Sequence, residues 1–201
     1  MGHRDRRLVF FTVLLLGGVQ SPGLSQPPEQ SIQFFQEEIA VEVFGDSCVL
    51  TGVYRFRNQT AESVSSRLLY PFPRRRELPE PGRVDILDLS SNRDVHAERR
   101  TRCVLFPISI PSWGVAAYRV RYVQPTPMKL MEYLLTTGRA WGRPLEHAAF
   151  SIRVPDSLQM TFLSFPKDTL WKSDGGTTYV IHRQQFLPDR ELTIRWQRKH
   201  P

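Results

Sequence analysis

The chain of 201 residues carries a formal net charge of +7, with 23% charged and 40% hydrophobic residues. Beyond the first 25 residues, 176 remain, enough for one large sandwich or two small packed subdomains. No later apolar run reaches the roughly 20 residues that a membrane-spanning helix needs, which excludes a transmembrane segment in that part.

The first 25 residues have the three parts of a secretory leader. A basic stretch with Arg4, Arg6 and Arg7 leads into the 12-residue apolar run Leu8–Val19. Pro22 then ends the helix, and the small Gly23 and Ser25 precede Gln26. This pattern predicts cleavage between Ser25 and Gln26 and a secreted or periplasmic address. The apolar run is too short for an uncleaved anchor, and the first cysteine after it is Cys48, so lipid attachment at the cleavage point is excluded.

A polar spacer, residues 26–36, follows the leader. The first β half is expected over residues 37–92. Ile39, Val41 and Val43 alternate with Glu38, Ala40 and Glu42, a turn falls at Gly45-Asp46, and Leu50, Tyr54 and Phe56 face one way while Val49, Thr51 and Val53 face the other. That is a hairpin. The turn at residues 58–62 leads into a strand through Arg67–Pro73, which its prolines end or place at an edge. Residues 74–82 (RRRELPEPG) form a charged, proline-rich loop, and Val84, Ile86 and Leu89 resume extended structure.

A second β half is expected over residues 103–198, with strands at 104–110, 116–124, 131–137, 150–154, 160–165, 178–186 and 191–196. Turn signals at 111–114, 124–127, 155–156, 174–176 and 188–189 separate them. Some ten strands and no amphipathic helix of three turns predict an all-β protein, an antiparallel β-sandwich of one or two packed units.

Residues 54–60 (YRFRNQT) leading to residues 69–73 (LYPFP), then residues 106–111 (FPISIP) followed by residues 118–124 (YRVRYVQ), resemble successive strands of the vault/inter-alpha-trypsin (VIT) type domain. The resemblance covers about residues 37–124. It implies an extracytoplasmic β-sandwich, usually part of an adhesive or matrix-associated protein. The chain departs from that pattern at residues 88–92 (DLSSN), one residue out of step with the DxSxS metal site of the von Willebrand type A domain that accompanies such sandwiches.

Short catalytic signatures are missing from the sequence: it contains no GxSxG elbow, no HExxH, no Walker loop and no GxGxxG. No cofactor and no metal are expected. Glu146-His147 and His182 are the acid/base candidates, each beside a predicted strand end. The two cysteines, Cys48 and Cys103, show no CxxC spacing; in an oxidising compartment they are expected to form one disulfide. That bridge would close a 56-residue loop and stabilise by at most about 4 kcal/mol. Asn58-Gln59-Thr60 is a glycosylation sequon on a predicted turn.

Export also redirects the basic excess, about +5 once the leader is removed, away from nucleic acid and toward anionic partners. The function expected is therefore an exported, non-catalytic module that binds a protein or glycan partner of acidic character. Its contact residues would be Arg74, Arg75 and Arg76 with the turn tryptophans Trp113, Trp141 and Trp171. The alternatives are a structural subunit of an envelope assembly and an enzyme that assembles His147, His182 and carboxylates by folding. The intact mass of the exported protein tests the leader: a mature chain starting at Gln26 is expected, and a full-length chain in the membrane fraction would refute cleavage.

Overall fold

Alternation of inward apolar and outward polar residues, the period of an extended chain with one buried face, runs through most elements of the computed structural model, which describes residues 31–199. The leader and its cleavage point at Ser25 and Gln26 lie outside the described residues.

The first eight strands are β1 (Ile32–Val43), β2 (Ser47–Asn58), β3 (Val64–Pro71), β4 (Val84–Asp88), β5 (Arg93–Asp94), β6 (Glu98–Arg100), β7 (Cys103–Ile110) and β8 (Val115–Pro125). β9 (Leu130–Tyr133) and a short 3-10 helix (Thr136–Trp141) lead to β10 (Leu145–Pro155), β11 (Leu158–Leu163), β12 (Thr169–Ser173), β13 (Gly176–Phe186) and β14 (Leu192–Arg198). The protein is all-β, as its alternation predicts.

Eight strands form one large sheet in the order β12-β13-β10-β1-β2-β8-β4-β5, and two three-stranded sheets have the orders β11-β14-β9 and β3-β7-β6. Every ladder is antiparallel except one: β1 runs parallel to β10, from Gln36 opposite His147 to Glu42 opposite Arg153. The large sheet is thus two half-sheets joined along β1 and β10. Both small sheets cover its inner face. Tyr70 of β3 meets Tyr54 of β2 edge-on at 5.6 Å, and Tyr133 of β9 bonds to Glu37 of β1. Glu37 and Tyr54 are register partners and so share that face. A single buried cluster, including Phe56, Phe106, Phe150, Ile152 and Ile194, runs beneath all three sheets.

One irregularity decides which side chains β1 buries. The ladder of β1 with β2 shifts register between Phe34 and Gln36, so Phe35 is an extra residue, a β-bulge that moves the strand's phase by one. Ile32 and Phe34 are buried before it, and Glu37, Ile39, Val41 and Val43 after it. Unbulged continuation from Phe34 would have turned Gln36, Glu38, Ala40 and Glu42 inward. The bulge therefore keeps the apolar face continuous and carries Glu37 inside with it.

Four local results refine the expectations from the sequence. The strand expected over 131–137 stops at Tyr133, because the Glu191 carboxylate accepts the backbone N–H groups of Leu135 at 2.5 Å and Thr136 at 3.0 Å and caps the 3-10 helix instead. β12 is an additional edge strand; all five of its residues are exposed, so it has no inward face for alternation to reveal. At Asp88, Oδ1 accepts the Ser90 N–H at 2.8 Å and Oδ2 accepts the Ser91 hydroxyl at 3.0 Å; residues 88–91 close the β4–β5 turn. Asn58 is buried, and its Nδ2 donates to the carbonyls of Glu62 and Pro111 at 2.7 and 2.9 Å, so the sequon nitrogen is occupied by turn hydrogen bonds in the folded chain.

The expected disulfide is corrected: Cys48 and Cys103 are both free thiols. They belong to different sheets, Cys48 to β2 of the large sheet and Cys103 to β7 of a small one. Cys48 has no exposed surface, and burial pushes its thiol up to about 12, which makes it an inert core residue.

Gly52 is required by its neighbour two residues on. A Cβ at this position would lie 2.6 Å from Tyr54 Cζ, because the Tyr54 ring leans back along the strand over the glycine. Gly52→Ala is expected to lower stability by about 1–3 kcal/mol through overpacking, measured by urea unfolding. An unchanged midpoint would show that the ring can move aside.

Candidate functional site

The bulge in β1 places a carboxylate where the two half-sheets and both small sheets meet. Glu37 is 3% exposed. The Tyr133 hydroxyl donates to its Oε2 at 3.0 Å and lies 3.1 Å from the Tyr54 hydroxyl, which is 2.9 Å from that of Tyr70. A file of four polar side chains thus crosses the core from β1 through β9 and β2 to β3. Glu37 Oε1 has no hydrogen-bond partner among the described residues.

A cavity of about 70 Å³ adjoins this file, lined by Glu37, Tyr54, Tyr70 and Tyr133 together with Phe34, Phe56, Leu135 and Trp141. Half-exposed Leu134, Thr137, Gly138 and Trp141 form its rim, three of them on or next to the 3-10 helix capped by Glu191. None of the lining residues carries a positive charge. Burial, opposed in part by the Tyr133 hydrogen bond, raises the Glu37 carboxyl from 4.5 to about 7. Burial also holds the Tyr54, Tyr70 and Tyr133 phenols well above their ordinary range.

A second concavity, a groove of about 610 Å³, is lined by β4, the β5–β6 segment and β8. Arg83, Arg119, Arg121 and His96 line it with Asp85 and Asp94. Asp85 stands opposite Arg121 in the ladder but bonds to Arg83 at 2.5 Å. Arg119 and Arg121, exposed on the outer face of β8, make no ion pair among the described residues.

The residues singled out from sequence scatter over the molecule. Arg74 and Arg76 are exposed, whereas Arg75 reaches across to the buried Glu132 of β9, its Nε and Nη2 donating at 2.6 and 2.5 Å. Trp113 is 69% exposed in the β7–β8 turn, and Trp171 is 50% exposed on the edge strand β12. Trp141 packs on Phe56 and Phe34, with ring centroids 5.6 and 5.9 Å apart, and belongs to the cavity. His147 and His182 sit on the outer face of adjacent strands, two positions apart in register. Glu146 is taken up by a two-point ion pair with Arg57, both N–O distances being 3.1 Å. Among the described residues there is no group of three His, Cys, Asp or Glu that could hold a metal.

Glu37, Tyr133, Arg119 and Arg121 escaped the reading of the sequence. The signal for Glu37 was present: it stands in phase with Ile39, Val41 and Val43. Arg119 and Arg121 alternate with the buried Tyr118, Val120 and Tyr122, which marks an outward arginine pair on one strand.

With the fold and these sites defined, comparison with known proteins is informative about architecture. Residues 121–195 match a family described as a domain of unknown function, DUF4424. No curated protein matches the sequence. Among solved structures, a candidate nutrient binding protein from Legionella pneumophila superposes with a TM-score of 0.68 at 13% identity, over 83% of this chain and 67% of that one. A variant of the M1 zinc metallopeptidase from Deinococcus radiodurans gives 0.50 at 13% identity, over 83% of this chain and 42% of that one. An M1 zinc metallopeptidase variant bound to L-tryptophan gives 0.50 at 15% identity, over 87% and 44%. The chain spans about two thirds of the first and less than half of the peptidases, and at such identities the likeness concerns the fold alone.

The Glu37 carboxyl has a direct consequence for stability. Its folded value, about 7, lies above the ordinary 4.5, so between those values the folded state holds a proton that the unfolded chain has released. This stabilisation is complete below pH 4.5 and is lost as pH rises to about 7, a change on the order of 3 kcal/mol. Glu37→Gln mimics the protonated acid. Urea unfolding should find the variant equal to the parent at pH 4 and more stable at pH 8; parallel pH profiles for the two would refute the buried-acid assignment.

Proposed function

We propose that this chain is an exported, non-catalytic binding module that takes an acidic segment of a protein or glycan in the groove between β4 and β8. The observation that carries this reading is the pair Arg119 and Arg121, two exposed guanidinium groups on one strand that line a 610 Å³ groove and, among the described residues, make no ion pair with the Asp85 and Asp94 that share it. Exposed arginines one pair apart repel each other mildly and attract an anionic ligand, whose arrival relieves that repulsion. The leader pattern of residues 1–25 supports an address outside the cytoplasm, where acidic glycans and acidic protein surfaces are the available polyanions. A candidate nutrient binding protein uses the same fold.

A second reading, a structural subunit of an envelope assembly, is favoured by β12, whose free edge carries Leu170 and Trp171, 42% and 50% exposed. The two readings separate on substitution. Reversing both charges, Arg119→Glu with Arg121→Glu, should weaken binding to immobilised polygalacturonate or polyglutamate by roughly three- to tenfold and flatten its salt dependence. Unchanged binding would refute the groove. Crosslinked assemblies in the native host that are lost only with Trp171→Lys would favour the second reading.

A further inference from the structure

The seam cavity shares no lining residue with the arginine groove, and its chemistry is opposite in sign. We propose that it binds an organic ammonium group, with Glu37 as the counter-ion and the rings of Phe34, Tyr54 and Trp141 as the walls.

Four observations converge on this class. Glu37 is the carboxylate of the cavity, and no lysine, arginine or histidine lines it, so the protein supplies no cation of its own there. Its Oε1 is buried without a partner, and a buried oxygen left unmatched is costly unless a donor reaches it. Phe34 is 6.1 Å from Tyr54 and 5.9 Å from Trp141, centroid to centroid, a cluster whose negative ring faces attract a cation. The space, about 70 Å³, admits an ammonium headgroup and its first carbons, with the half-exposed rim at Thr137, Gly138 and Trp141 leading outward.

Other occupants fit less well. An anion would meet Glu37 and the ring faces. Calcium and magnesium ask for six or more oxygen ligands, whereas the cavity offers one carboxylate and phenol hydroxyls. A neutral alcohol could satisfy Oε1 but would gain nothing from the ring faces. A bound ammonium N–H would donate to Oε1 and hold Glu37 ionised, so that binding below about pH 7 releases the carboxyl proton to solvent.

Isothermal titration of the full chain with n-butylammonium chloride, against n-butanol and potassium chloride, tests the assignment. Butylammonium should bind with a Kd of about 1 mM or tighter, and at pH 6 the heat should vary with buffer ionisation enthalpy in the sense of proton release. Glu37→Gln, shown folded by circular dichroism, should weaken binding at least about tenfold. Should that variant fail to fold, Trp141→Leu at the rim decides, with a severalfold loss expected. No binding of butylammonium, equal binding of butanol or potassium, or unaltered affinity in the folded variants would overturn the proposal.

Discussion

The parallel ladder between β1 and β10 is the constraint on which the remaining architecture depends. β1 uses one backbone edge to pair with β2 and the other to pair with β10, a partner whose first paired residue, His147, lies 111 positions beyond Gln36. Closing so long a loop costs little more than closing a shorter one, because the entropy grows only with the logarithm of its length. In return the ladder merges two half-sheets into eight strands and removes two edges that would otherwise be open to other chains. The small sheets then have one continuous inner face to cover. They meet over β1 and β2, where Tyr133 of β9 and Tyr70 of β3 both reach Tyr54, just past the bulge in β1.

Two glutamates are buried among the described residues, and their partners differ in kind. Glu132 of β9 is matched by Arg75, which leaves the proline-rich loop to reach it; an arginine that looked like a surface contact is the counter-ion of an interior acid. Glu37, on the strand that pairs with β2, has the Tyr133 phenol hydroxyl in place of a cation. A buried charge without a counter-charge is costly, and the group takes up a proton instead, which accounts for its raised value near 7.

The outer face follows a different rule. On β8 the residues between Tyr118, Val120 and Tyr122 point to solvent, and both are exposed arginines. Elsewhere on the same sheet outward arginines find partners, Arg55 with Glu38 at 2.5 Å and Arg57 with Glu146 at 3.1 Å. Arg119 and Arg121 do not, and the groove beside them gives that surplus a shape. One molecule thereby offers a cationic surface on the outer face of β8 and an acidic interior cavity beneath β1 and β2, on the opposite face of the same sheet. The fold itself occurs in chains as different as a candidate nutrient binding protein and zinc metallopeptidases, so these local chemistries, and not the architecture, bear on function.

Local alternation is enough to make the strands readable from residues alone. Leu50, Tyr54 and Phe56 declare the inward face of β2, Gly45-Asp46 declares the turn before it, and the short apolar runs between proline and glycine turns declare an all-β chain, because a pleated strand sorts side chains with a period of two whatever its partners are. Pairing, register and company are nonlocal and were not readable. Nothing near Ile39 announces a parallel partner more than a hundred residues away, and nothing near Phe35 announces a bulge, since the extra residue is defined only by the strand opposite. Two cysteines in sequence carry no distance, so their placement in separate sheets emerged only with the fold. The same holds for Glu37: its phase was written in the sequence, but its burial, its tyrosine partners and its unmatched oxygen exist only after β1, β2, β3 and β9 converge, because desolvation is a property of the surroundings and not of the residue.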